Sequence, residues 1–400
     1  MKRSEALSNV LEKPAEADVL ARLDPSILSL ERRLQAFEHF SHAHSGRERP
    51  GRYWRVDLES LAPDIATFDF DAAASIDNPN ANVLACDLRA AAGQHAERFA
   101  RAFGATGVAD TKFGALTTAF ARAGAFVYVP ADTQASEPIT IEYDLPDGAA
   151  SFPYTVVLAE AGSDVTIVER YRGAPRFVSG VAEIVTGENA RVAFASHQQL
   201  AGTTQCVQTR LALPGKDATI DWMAADIGAA LSVNELAVAI EQPGITAGVT
   251  SVFFPNGKQH VDVLSRIEHS VGNSVSNTVV KSAAIDSGQA RYVGNIVIAE
   301  RAQGSNAALR DDALLLSKQA HIDSVPALEI AANDVKAYHG ATVGALDPDQ
   351  IFYMQSRGIA AAAAERMIAI AFFEPAIERF PTRGLRDEIR AAIESKLTTR

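Results

Sequence analysis

The chain has 400 residues, two cysteines and a net charge of −12, with 47% hydrophobic and 22% charged residues. A single core seldom grows past about 250–300 residues, so this length calls for several modules or one elongated, repeat-built body, and the composition excludes both a disordered tail and a membrane protein. Cys86 and Cys206 can supply neither a disulfide framework nor the four thiolates that usually hold a metal cluster in one chain, and the acidic balance argues against a nucleic-acid partner.

The first thirteen residues have scattered charges and no apolar segment of the secretory type. The longest apolar run, from Gly358 to Ala364, stops at Glu365-Arg366, far short of the roughly 20 residues of a membrane span. A soluble, cytoplasmic chain is the expectation. Residues 1–60 carry ten basic and ten acidic side chains and residues 347–400 carry eight of each. The whole charge excess therefore lies in residues 61–346, and that boundary coincides with a change of periodicity.

The N-terminal part, 1–120, reads as helical. Asp24-Pro25 offers an N-cap and a first-turn proline, and Ile27, Leu30, Leu34 and Phe37 follow as an amphipathic stripe. His42 to Gly51 reads as a linker, and a weaker helical stretch spans Leu88–Phe103. From about Ala125 the period becomes two: Phe126–Val129, Ile139–Tyr143, Tyr154–Leu158 and Asp164–Val168 are short strands rich in β-branched residues. Gly162, Gly187, Gly215 and Gly244 are each followed by small or apolar residues at +3 and +5, and Gly272 keeps the first of these. Their spacing of 25 to 29 residues is too short for a propeller blade and predicts a mainly β fold, a parallel β-helix over 121–345. A β-sandwich with irregular turns would give a looser form of the same pattern.

Residues 346–400 return to helix. Asp347-Pro348 with Gln350 predicts a capped start and Gly358 a stop. A second helix is expected to break at Pro375. In a third, Leu385, Ile389, Ile393 and Leu397 form a strict i+4 stripe, read either as packing on the chain's own body or as a docking face for another chain.

No phosphate-binding loop, nucleophile elbow, metalloprotease helix or Cys-x-x-Cys pair is present. His39, His42 and His44 are closely spaced, but no cysteine or carboxylate accompanies them at ligand spacing, so they read as surface imidazoles. His197, His260, His269 and His321 stand isolated in strand-like context. His339 lies on one face with Val335 and Ala337, beside Gly340, where the β body gives way to helices. Pattern alone favours a core histidine; an imidazole at the end of an element is also well placed to reach a metal.

The stretch Leu314-Leu-Leu-Ser-Lys-Gln-Ala-His-Ile-Asp-Ser-Val-Pro-Ala-Leu-Glu-Ile-Ala-Ala-Asn-Asp-Val-Lys-Ala-Tyr-His-Gly-Ala-Thr-Val-Gly344 resembles the signature of the SufB/SufD family, scaffold subunits of the SUF iron–sulfur cluster assembly machinery. Leu346-Asp347, Gln350-Ile-Phe-Tyr353 and Ser356-Arg-Gly-Ile359 extend the match, and Tyr53-Trp-Arg55 does so more weakly. His339-Gly340 resembles the SufD branch, since SufB members typically have His-Glu, and the reactive cysteine of SufB is missing from this stretch. The resemblance implies a right-handed parallel β-helix flanked by helical N- and C-terminal parts, and a non-catalytic scaffold in an ATP-driven complex. It implies SufB as partner through the β-helices and the SufC ATPase docked on the C-terminal helices through Phe352, Tyr353, Arg357, Gly358 and Ile359. His339 would meet the nascent, transient iron–sulfur cluster at the SufB interface, and no cofactor is expected in the isolated chain. Ala337 stands where many SufD sequences have cysteine, which puts in doubt any scheme that needs that thiol. Whether a reduced flavin joins the complex, and whether the chain forms a homodimer without SufB, stay open. The alternatives are a SufB-like principal scaffold and a β-helical carbohydrate-active enzyme.

Overall fold

The computed structural model describes residues 22–43, 56 and 74–398. The histidine-to-glycine linker beyond Ala43 and the Tyr53-Trp-Arg55 motif lie outside them. Helix α1 (Leu30–His42) starts five residues after the expected proline: Ser29 is the N-cap and accepts from Arg32 N–H, whereas Asp24 closes a local turn by accepting from Ser26 N–H. Strands β1 (Ala74–Asp77) and β2 (Leu84–Asp87) fall inside the part expected to be helical. The stretch from Leu88 forms α2 (Leu88–Gln94) and α3 (Ala96–Ala100), and α4 (Lys112–Phe120) follows, buried along its whole length.

The body consists of β3 (Gly124–Val129), β4 (Ile139–Leu145), β5 (Ala150–Ser151), β6 (Tyr154–Ala159), β7 (Asp164–Gly173), β8 (Phe177–Thr186), β9 (Arg191–Gln198) and β10 (Gln205–Leu213). It continues through β11 (Thr219–Asp226), β12 (Leu231–Ile240), β13 (Thr246–Phe253), β14 (His260–His269) and β15 (Val275–Ala284). The last four strands are β16 (Gln289–Ile298), β17 (Asn306–Leu315), β18 (His321–Ile330) and β19 (Lys336–Gly344). From β6 onward successive strands alternate between two sheets, β5 being a short addition beside β8. β1, β4 and the odd-numbered strands from β7 build a nine-stranded sheet ending in β19, and the ten-stranded sheet ends in β18. Pairing is parallel except where β1 and β2 join β4 and β3 antiparallel. The molecule is a parallel β-solenoid with helices at both ends.

Alternation along the strands fills the interior with columns of like side chains. Val165, Val192, Ile220 and Ala247 stack in register, as do Ile167, Phe194, Trp222 and Val249. The same corner of seven successive turns has positive φ, at Asp132, Gly162, Asn189, Asp217, Gly244, Asn273 and Gly304. Only glycine, asparagine and aspartate occupy it, as the left-handed region demands. The N–H at Gly162, Asn189 and Asp217 donates to a carbonyl of the next turn (Glu188, Lys216 and Pro243), so this corner is itself a ladder.

The glycine recurrence in the sequence thus mixes two positions. Gly162 and Gly244 sit at the corner; Gly187 and Gly215 precede it by two residues, where a Cβ would come within 2.5 Å and 2.7 Å of backbone in the turn below. The true register therefore aligns the +3 residue of Gly162 with the +5 residue of Gly187.

The C-terminal helices are α5 (Pro348–Ser356), α6 (Ala361–Ile377) and α7 (Arg383–Thr398). Pro375 does not break α6, which continues to Ile377; so near the end the missing N–H removes one bond and the helix persists. The α7 stripe of Leu385, Ile389, Ile393 and Leu397 is buried in one cluster with Met223, Ala225, Val252 and Phe254 of the outer sheet face. It packs on the chain's own body, so the docking alternative for this stripe falls. Glu388, on the same helix, is bound by Arg170 at 2.9 Å. The two ends of the solenoid differ: α1 and α4 pack around Phe40, Phe113 and Phe120 at the first, while β18 and β19 each leave one strand edge unpaired by the sheets at the other.

Candidate functional site

His339 sits on β19, the last strand of its sheet. Its register partner is Leu309, and the column runs back through Thr278, Val249, Trp222 and Phe194. In the earlier turns this column is interior. His339 holds the same inward register, yet it is exposed because no further turn covers it. The strand does not stop at Gly340, as the sequence suggested, but runs on to Gly344, with Ala337, Ala341 and Val343 as the other inward positions of β19. Neither ring nitrogen of His339 is engaged by a described residue.

The other histidines are accounted for differently. His39 Nε2 lies 3.0 Å from the Asp110 carbonyl and His42 Nδ1 2.8 Å from that of Glu38; His44 is outside the described residues. His269 is buried between Ser274 and Ser276, and burial holds it down to about 4, so it is neutral. His197 is buried beside Glu388, and His321 pairs with Asp323 at the surface. Cys206 is buried, and desolvation pushes its thiol up; Cys86 is half-buried and raised by the same cause. Neither offers a ready thiolate. Among the described residues no group of three or more His, Cys, Asp and Glu side chains is arranged to hold a metal ion.

Three residues beyond β19, α5 begins with Asp347 as N-cap, accepting from Asp349 N–H, and Pro348 in the first turn. It ends in a two-bond cap: Gly358 at φ +83° donates to Gln355, and Ile359 N–H donates to Met354 at 3.2 Å. This geometry requires positive φ at Gly358 and turns Ile359 back toward the helix, where it is half-buried. Phe352 is 71% exposed and Tyr353 60%, and the Arg357 guanidinium lies 5.2 Å from the Tyr353 ring. Met367 of α6 is exposed as well. The five residues singled out in the sequence thus gather at one helix and its C-cap. Between α5, α6 and the tail of β17 lies a cleft of about 470 Å³, lined by Leu315, Leu316, Ile351, Glu365 and Arg366.

Sequence reasoning passed over Asp311. Its strand reads Ala307-Ala-Leu-Arg-Asp-Asp-Ala313, and register places Asp311 inward, beside Ala341 of β19. The signal was present: a carboxylate interrupts an otherwise apolar inward set of Ala307, Leu309 and Ala313.

The described chain is thus a solenoid with one uncovered end, an imidazole closing one of its inward columns there and a helix with exposed aromatics beside it. The chain belongs to the SufBD core family: the description "SUF system FeS cluster assembly, SufBD core domain" fits residues 143–372. Among relatives, it is 30% identical over 324 residues to the iron–sulfur cluster assembly protein SufD of Bacillus subtilis, covering 79% of this chain and 74% of that one. It is 27% identical over 279 residues to a SufBD family protein of Staphylococcus saprophyticus, covering 68% and 60%. A Mycobacterium leprae SufBD family protein is 30% identical over 262 residues, which span 30% of its length. The chain thus spans less than two thirds of several relatives it matches. No helix among the described residues is long and apolar enough to cross a membrane.

Proposed function

We propose that this chain is a SufD-type scaffold subunit of a SUF complex, working in the cytoplasm with a SufB-type scaffold and a SufC-type ATPase. It performs no catalysis of its own. It contributes an imidazole to a cluster whose remaining ligands come from the partner, because a cluster needs several donors and this end of the chain carries no thiolate. Imidazole binds iron less tightly than thiolate, which suits a cluster that must be passed on. Phe352 and Tyr353, with Arg357, Gly358 and Ile359 fixing the end of α5, supply the contact for the ATPase. Exposed aromatics beside an arginine are the usual anchors of such interfaces.

The observation that carries this reading is the register of His339: an inward-facing imidazole on a strand whose outer edge is free. The experiment is cluster assembly by the three-protein complex, purified anaerobically, with iron and sulfide counted. His339→Ala leaves the complex intact by gel filtration and lowers cluster yield severalfold. Full yield in that variant removes His339 from the site.

A further inference from the structure

The interior of the last turn holds one group that packing does not explain. Asp311 is 0% exposed. Its Oδ2 accepts from the Ser324 hydroxyl of β18, whereas its Oδ1 has no hydrogen-bond partner. A buried carboxylate oxygen left without a donor is costly. Lys281 and Arg310 do not supply the missing donor: both donate to Asp312, which alternation places on the outer face. Burial pushes the Asp311 carboxyl up to about 7.

Asp311 sits one strand inside the free end. Its register partner on β19 is Ala341, so a single methyl group stands between this carboxylate and the open end at that position. His339 pairs with Leu309, two residues before Asp311 on the same inward face, which makes the imidazole and the carboxylate diagonal neighbours on adjacent strands. Neighbouring strands lie about 4.8 Å apart and two residues of a parallel strand rise about 6.6 Å, so the two Cα atoms are roughly 8 Å apart, a span that an imidazole, a metal ion and a carboxylate can bridge. A nitrogen and an oxygen so placed can meet one cation at metal–ligand distances of about 2.0–2.2 Å. Imidazole with carboxylate, leaving open positions, is the donor mix of mononuclear ferrous sites.

We propose that Asp311 and His339 together form a two-ligand site for Fe²⁺ at the open end of the solenoid, one oxygen and one nitrogen, with the other positions left to water and to the facing chain. The inference rests on the reading of His339 as an iron-handling residue and adds the carboxylate beneath it. It also accounts for the orphaned Oδ1: the missing partner is the metal.

The test is an anaerobic titration of the tag-free full chain with Co²⁺, whose visible absorption reports its ligands and which stands in for Fe²⁺. The expected result is saturation at one Co²⁺ per chain, with affinity at least tenfold lower in both Asp311→Asn and His339→Ala. Asn keeps the size of Asp and the acceptor for Ser324; an unchanged thermal melt shows that the fold is retained. Ala341→Leu, on the exposed edge strand, sets a larger apolar side chain beside the carboxylate without altering it and is expected to weaken binding to the same degree. Wild-type affinity in Asp311→Asn and Ala341→Leu, with a loss only in His339→Ala, overturns the part given to Asp311 and leaves the imidazole's role standing. A wild-type chain that takes up no Co²⁺ overturns the two-ligand site, while cluster yield of the His339→Ala complex remains the separate measure of the proposed function.

Discussion

Replacing Ile389 by alanine separates the two roles a helix stripe can have. Ile389 is 0% exposed on α7, in one cluster with Phe254 of the β body and Phe373 of α6. The substitution removes three carbon atoms, worth about 0.8 kcal/mol each in transfer, or about 2.4 kcal/mol in all. The cavity left behind adds to this, so the expected loss is about 3 kcal/mol, inside the usual 2–5 for such truncations. In a solenoid, each unit is stabilised by its neighbours, so the loss will be felt locally: urea denaturation combined with hydrogen exchange over 361–398 should show α7 and α6 opening before the strands. The control is Phe352→Ala, a residue 71% exposed, which should leave the urea midpoint unchanged and weaken capture of the ATPase proposed as partner. If Ile389→Ala instead costs less than about 0.5 kcal/mol, the scale of a surface change, and abolishes ATPase capture, the stripe is a docking face and the reasoning fails.

Two further outcomes follow from the ties between the helices and the solenoid. Glu388 stands beside His197 and Arg170, and these hold its carboxyl at about 2, below the usual 4.5. A depressed carboxylate contributes stability that is complete above its unfolded value and lost as pH falls through the folded one. The stability difference between wild type and Glu388→Gln is therefore greatest above about pH 4.5 and fades toward pH 2; chemical denaturation at several pH values checks it, and a pH-independent difference would contradict it. Arg33, 1% exposed, donates to the carbonyls of Thr118, Ala119 and Ala121, closing the C-terminal end of α4. Arg33→Met leaves these buried acceptors bare and should cost about 2–4 kcal/mol in urea denaturation, and Arg33→Lys should recover only part of it because one ammonium cannot span the same fork.

How far the chain could be read in advance depends on the range of each signal. The alternation of β-branched residues, the repeat near 28 residues and the start and stop of α5 are local properties, set by φ/ψ preferences and by side-chain period, and all reappear in the structure. Gly358 is a clear case: a glycine after the last turn of a helix announces the left-handed cap that Ile359 completes. Signals with two uses were misjudged. Asp24-Pro25 can open a helix or a turn, and here it makes a turn; Pro375 can break a helix or be borne near its end, and it is borne. The all-buried α4 has no polar face to give it a period, and β1 and β2 are too short to stand out.

By itself the sequence determined that this protein is a repeat-built β body with helical ends, poor in thiols, carrying the SufB/SufD motif. Those follow from composition, from spacing and from fixed residues close together in the chain. Only the tertiary structure decided which residues face inward, because one residue of register exchanges the two faces of every strand. It placed His339 at the open end of an interior column, turned the α7 stripe onto the chain's own strands and buried Asp311 one strand inside that end. The sequence marks where the solenoid ends, near residue 345; which side chains of its last strand face the interior depends on pairing with a strand about 30 residues away, which no single stretch records.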